Sequence, residues 1–175
     1  MPSPIAHVSA ACILFQVLRA RAPGFRRAGW FALAVLAVLS LLPDADSALG
    51  FATGDLGRYH NNLTHSLFVG LGVAAAVGIA ARAVRPTRAW LCFLVVLACY
   101  ELHVVMDFFT IGRGVMALWP FTARRFASPV KLFFGLHWSQ GFVSPLHIVT
   151  GLSESAVGLL AIVLAQRLLP RRPQA

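Results

Sequence analysis

Apolar residues run through this chain in five long stretches, at about 4–19, 29–43, 65–82, 88–110 and 146–168, each ended by a short polar or basic segment. Runs of this length predict helices. The first two are nearer to about fifteen residues than to the roughly twenty that a bilayer core asks of a helix, so little tilt, local thinning or partial entry is expected of them. Gly70, Gly72 and Gly78 in the third stretch leave room for a neighbouring helix to come close. Between 111 and 145 the pattern changes to Gly112-Arg113-Gly114, Trp119-Pro120-Phe121, Arg124-Arg125-Phe126, Ser128-Pro129 and Trp138. Aromatic and basic residues interrupted by proline fit a segment at a membrane interface. It reads either as a linker or as a lid whose Arg124, Arg125 and Lys131 face phosphate.

Laying the five stretches antiparallel sorts the polar residues. His7 stands at the start of the first, Asp44 and Asp46 at the end of the second, and His65 at the start of the third. His103 and Asp107 follow near the end of the fourth, with His147 and Glu154 early in the fifth. Start, end, start, end, start is one end of an up-and-down bundle. The arginine clusters (Arg19, Arg21, Arg26 and Arg27; Arg82, Arg85 and Arg88; Arg167, Arg171 and Arg172) fall at the other. The expected fold is therefore all-α: an integral membrane bundle of about four to five helices in one domain, residues 1–175, with the ligand-type residues gathered at one end.

Composition agrees with a membrane class. The chain is 58% hydrophobic and 12% charged, with a mean hydropathy of +0.75, where soluble domains are roughly a quarter charged. A net charge of +9 raises the question of nucleic acid, but the basic residues sit in short clusters at segment ends, as cytoplasmic loops carry them, so nucleic acid is not the expected partner. Cys12, Cys92 and Cys99 lie inside apolar stretches without paired spacing, which points to packing and not to disulfides or thiolate zinc. The apolar run from Ile5 to Leu18 has no Lys or Arg before it, unlike a secretory leader, and is expected to stay in the mature protein.

Acidic residues number only 6, and Asp44, Asp46 and Asp107 border or enter apolar stretches. A carboxylate there is expensive unless paired or bound to a cation. His103 and Asp107 are one helical turn apart and face one way. An isolated pair of this kind is more often a polar contact between helices, but the convergence of so many such groups favours a metal. With His and carboxylate donors and no thiolate, the set suits zinc, with manganese or iron as alternatives, and its size allows more than one ion. The usual chemistry of such sites is hydrolysis. His147 and Glu154, two turns apart, can add ligands or a general base; Glu101 points away from His103 and is expected to pair with an arginine. Thr64 and Ser66 read as helix caps before they read as nucleophiles.

Taken together, His7, Pro43-Asp44-Ala45-Asp46, His60 with Thr64-His65-Ser66, His103 with Asp107, and Trp119-Pro120 resemble a bacterial family described as LexA-binding, inner-membrane-associated, metal-dependent hydrolases. The resemblance covers about residues 1–155 and departs at Asn61 and Asn62, where that family has Arg and Gly. The family in turn is similar to zinc-dependent phospholipase C, an all-helical enzyme with His, Asp, His and His-x-x-x-Asp ligands in the same chain order. Its later His-x-x-x-Glu is absent from this chain. The resemblance implies metal ligation by His7, Asp44 or Asp46, His60 or His65, His103 and Asp107.

The expectation is a multi-pass inner-membrane hydrolase acting on a phosphoester, such as a lipid headgroup, through metal-activated water. The metal ligands are His7, Asp44, Asp46, His60, His65, His103 and Asp107, and the catalytic residues Asp46, His65 and Glu154. Membrane lipid is the expected partner; a protein partner stays open, as does the alternative of a non-catalytic metal-binding protein or transporter. The loops at 44–64 and 110–145 hold 1 and 4 basic residues against 4, 3 and 3 in the arginine-bearing segments, which points the ligand end away from the cytoplasm.

Overall fold

The computed structural model describes residues 1–21, 23–136 and 144–169, so Trp138, Arg171 and Arg172 lie outside the described residues. Among the described residues five long helices form near where the apolar stretches predict them: α1 (Pro4–Arg21), α2 (Pro23–Leu41, broken by a kink at Gly29, φ 49°), α5 (Leu67–Val84), α6 (Ala89–Phe108) and α7 (Pro145–Leu168). The described residues contain no strand, only isolated bridges between Thr110 and Phe133 and between Val115 and Phe126. Helix α1 packs on α2 and α7, α2 also on α6, and α5 on α6. The core at the centre of α1, α2 and α6 is built from Ala11, Phe15, Ala32, Leu36 and Cys99.

Among the described residues, four stretches are long and apolar enough to cross a membrane: 27–53, 67–84, 86–108 and 145–168. Helix α1 is not among them. Their side chains face outward to a degree that water would not tolerate: only 11% of the α5 stretch is buried, and Phe31, Ile79, Val84 and Leu159 are exposed. Apolar surface on this scale marks contact with lipid.

Three details depart from the sequence reading. The segment 44–64, expected as a loop, winds into a 3-10 turn (Leu42–Asp46) and the short helices α3 (Ser47–Thr53) and α4 (Leu56–Tyr59). Gly54, at φ 75°, ends α3 in the left-handed region, and the Asp55 carboxylate caps α4 by accepting from the Arg58 amide at 3.0 Å. Of the three glycines in α5, Gly70 and Gly78 meet α6 closely, a Cβ on Gly78 falling 3.0 Å from that of Phe93, while Gly72 faces open space. The carboxylate of Glu101 fills the space beside Gly70. Both its oxygens are buried without a hydrogen-bond partner, so the expected arginine pairing does not form among the described residues.

Candidate metal centre

The α2 helix stops at Leu41, and Pro43, whose fixed φ suits the first turn of a new helix, lies in the 3-10 turn Leu42–Asp46 that swings Asp44 and Asp46 inward. A second 3-10 turn, Leu63–His65, does the same for His65, and Ser66 caps α5 by accepting from the Phe68 amide at 3.2 Å. Ser66 is thus the cap that the sequence suggests. Thr64 is not: its hydroxyl donates to Asp46 Oδ2 at 2.8 Å. The first turns of α1 bring His7, and the last turns of α6 bring His103 and Asp107.

All seven residues expected as ligands meet at this end of the bundle. Asp44 Oδ1 lies 3.5 Å from His60 Nδ1 and 3.4 Å from both His65 Nε2 and His103 Nε2. Asp107 Oδ2 is 3.1 Å from His65 Nε2, and Asp107 Oδ1 is 3.7 Å from His7 Nε2. The rings of His7 and His103 stack with centroids 3.7 Å apart. Two groups that share no residue have donor atoms close enough to hold a metal ion: His7, His103 and Asp107, and Asp44, His60 and His65. Asp46 is in neither group. Its Oδ1 lies 3.2 Å from His60 Nδ1 and its Oδ2 3.4 Å from His65 Nδ1.

The donor set fits a divalent cation on two counts. A tetrahedral ion with ligands at about 2.0–2.1 Å spaces them about 3.3–3.4 Å apart, the separation found around Asp44 Oδ1. Buried polar atoms are almost always hydrogen-bonded, yet both nitrogens of His7, Nε2 of His60, Oδ1 of Asp44 and both oxygens of Asp107 are buried without a hydrogen bond among the described residues. Orientation adds to this. His103 Nδ1 donates to the Ser40 carbonyl at 2.7 Å, which leaves Nε2 for the centre; the Nδ1 atoms of His60 and His65 face Asp46. An imidazole fixed through one nitrogen and free at the other is how metal-binding histidines are held.

Electrostatics follow from the crowding. Burial pushes His60 below the usual imidazole range, against the hydrogen bond that its Nδ1 donates to Asp46. Burial opposes charge on His65 too, but there Asp107, Asp44 and Asp46 together hold the imidazole well above that range.

Glu154 and His147 are in neither ligand group. Glu154 is buried on α7 and accepts from the Ser3 amide at 2.6 Å, tying α7 to the segment that leads into α1. His147 sits half-buried in the first turn of α7. Sequence reasoning passed over Arg113, which donates to the His60 carbonyl. No periodicity or motif brings residue 113 to residue 60.

The expected interfacial segment folds back over this end. Val115 exchanges backbone hydrogen bonds with Phe126 at 2.8 and 2.9 Å, the Leu67 amide donates to the Ala117 carbonyl, and Val115 is fully buried. The Trp119-Pro120 peptide is cis, and the Trp119 carbonyl accepts from the Ser66 hydroxyl.

The sequence model of the YdjM inner membrane protein family matches residues 1–170. The chain belongs to that family. None of the curated proteins and none of the solved structures matches it. The YdjM family match takes in all seven ligand candidates and the segment folded over them. With the four apolar stretches it supports a membrane location, while its description names neither metal nor reaction.

Proposed function

We propose that this YdjM family member is a membrane-embedded, metal-dependent hydrolase acting on a phosphoester at the lipid headgroup layer. The observation that carries the reading is that three buried histidines, His60, His65 and His103, each have Nδ1 engaged, and that two of them turn Nε2 to the same oxygen of Asp44. His7, His103 and Asp107 would hold one ion, and Asp44, His60 and His65 a second. A divalent ion in such a donor set, zinc foremost, supplies water acidified for attack and positive charge opposite the phosphoryl oxygens. Asp46 keeps a proton at Nδ1 of His60 and shares the charge that the imidazoles gain as ligands. Thr64, by donating to Asp46, fixes that carboxylate in turn. Glu154 positions the segment before α1, and so His7, instead of moving a proton.

The arrangement speaks less for a transporter, which needs ionisable groups along a path through the middle of the membrane; here they concentrate at one end of the bundle. The chain is multi-pass in this reading, with its arginine-rich loops in the cytoplasm and the ligand end outside. The test is elemental analysis of the purified full chain, followed by hydrolysis assays on lipid and nucleotide phosphoesters before and after chelation. Hydrolysis lost on chelation and restored by zinc, manganese or iron is the expected result. Protein that binds none of these ions ends the proposal.

A further inference from the structure

Two guanidinium groups return from the folded-back segment to the loop that carries His60. Arg113 Nη2 donates to the His60 carbonyl. Arg125 donates through Nη1 to the Asn61 carbonyl at 2.8 Å and the Gly114 carbonyl at 3.2 Å, and through Nη2 to the Asn62 side chain. Other basic residues of the segment are occupied elsewhere: Arg124 lies over the Phe126 ring, and Lys131 donates to the Thr110 carbonyl at 3.1 Å.

Arg113 and Arg125 are near enough to repel each other, and near enough to Asp46 for its carboxylate to act on Arg125. Carbonyl oxygens alone do not require two like charges together, since any neutral donor serves them as well. A guanidinium carries five N–H donors, and the contact to His60 leaves most of those on Arg113 for a ligand. Of the seven ligand candidates Asp44 alone is partly exposed, and it stands 3.5 Å from His60, whose carbonyl accepts from Arg113. Paired planar forks beside such a cluster match the oxygens of a phosphate group.

We infer that Arg113 and Arg125 form an anion clamp at the mouth of the His/Asp cluster, holding the phosphoryl oxygens of the substrate. This rests on the phosphoester reading above and selects, from the basic residues of the segment, the two that do the holding. Recognition is of the phosphate group itself, carried either by a lipid headgroup or by a small soluble molecule.

The experiment uses the full chain in detergent, metal-loaded, as wild type and as Arg113→Gln, Arg113→Lys, Arg125→Gln and Arg124→Gln. Inorganic phosphate is titrated calorimetrically for the soluble source. Mixed micelles of phosphatidic acid, with phosphatidylcholine micelles as control, serve for the lipid source, and bound metal is measured throughout. Arg113→Gln should weaken binding of the phosphate group about tenfold or more, as loss of a charged hydrogen bond does, with metal content unchanged. Arg113→Lys should recover part of the affinity, and Arg124→Gln should match wild type. Because Arg125 also braces the loop, its variant is read only against metal content. Preference for phosphatidic acid over inorganic phosphate assigns the clamp to a lipid headgroup, and the reverse to a soluble phosphoester. Unchanged phosphate binding in Arg113→Gln and Arg125→Gln overturns the clamp, as does loss of metal together with phosphate, which would make the arginines mere braces. Intact, arginine-dependent phosphate binding without any hydrolysis overturns the hydrolase reading and leaves the clamp standing.

Discussion

At His103 one ring nitrogen is taken by the Ser40 carbonyl and the other faces Asp44 and His65. His103→Ala and Asp107→Ala should therefore leave a folded bundle that has lost bound metal, and chelated wild type should match both in unfolding assays. If His103 only packs, its removal should cost about 1–3 kcal/mol whatever the metal content, and unchanged metal in both variants removes the pair from the site. Asp44 and Asp46 divide differently. Asp44→Asn should lose metal and all hydrolysis, because its oxygen lies among three imidazoles. Asp46→Asn should keep the ions with affinity weakened about 10–100-fold, as loss of an orienting carboxylate does. Full activity in Asp44→Asn would defeat that assignment. The aspartates were legible in the sequence because carboxylates are scarce and stand beside apolar runs. Thr64 was misread as a cap because only the fold aims it at Asp46, and the Ser40 carbonyl, a backbone group, leaves no mark in a sequence at all.

Among the elements, the long helices were readable from apolar length alone, and the antiparallel order of their polar ends placed the candidate ligands together at one end. The pieces between them were not. Helices of 7 and 4 residues, α3 and α4, are too short to display a period, although Gly54 and Asp55 punctuate them in the usual way. In the α5–α6 pair, sequence composition could not say which glycine bears the contact. The structure separates them: a Cβ at Gly70 meets Tyr100 and Glu101, whereas one at Gly72 meets nothing within 4 Å. Gly70→Ala should destabilise the bundle by about 1–3 kcal/mol through overpacking, and the Glu101→Ala background should relieve part of that loss. Gly72→Ala should be near neutral. Denaturant unfolding in detergent measures all three, and equal effects at Gly70 and Gly72 would contradict the proposed helix contact.

For the whole molecule, the inferred topology predicts that Asp55→Cys, on an exposed loop of the ligand end, reacts with an impermeant thiol reagent in intact cells, while Arg85→Cys does so only after lysis. Labelling in the opposite sense inverts the orientation. The same bundle is open along one side. A groove of about 580 Å³ runs between α2 on one wall and α5 and α6 on the other, lined by Phe31, Val35, Leu39, Val77, Leu91 and Val95. Helix α2 packs on α1 and α6, and α5 packs on α6, so α5 stands as a stave fastened along one edge. What reaches across at the far end is the pair of 3-10 turns, Asp44 and Asp46 from the α2 side against His65 from the α5 side. A cation shared by those residues would act as a clasp across the end of that seam, tying the α2 side of the groove to the α5 side.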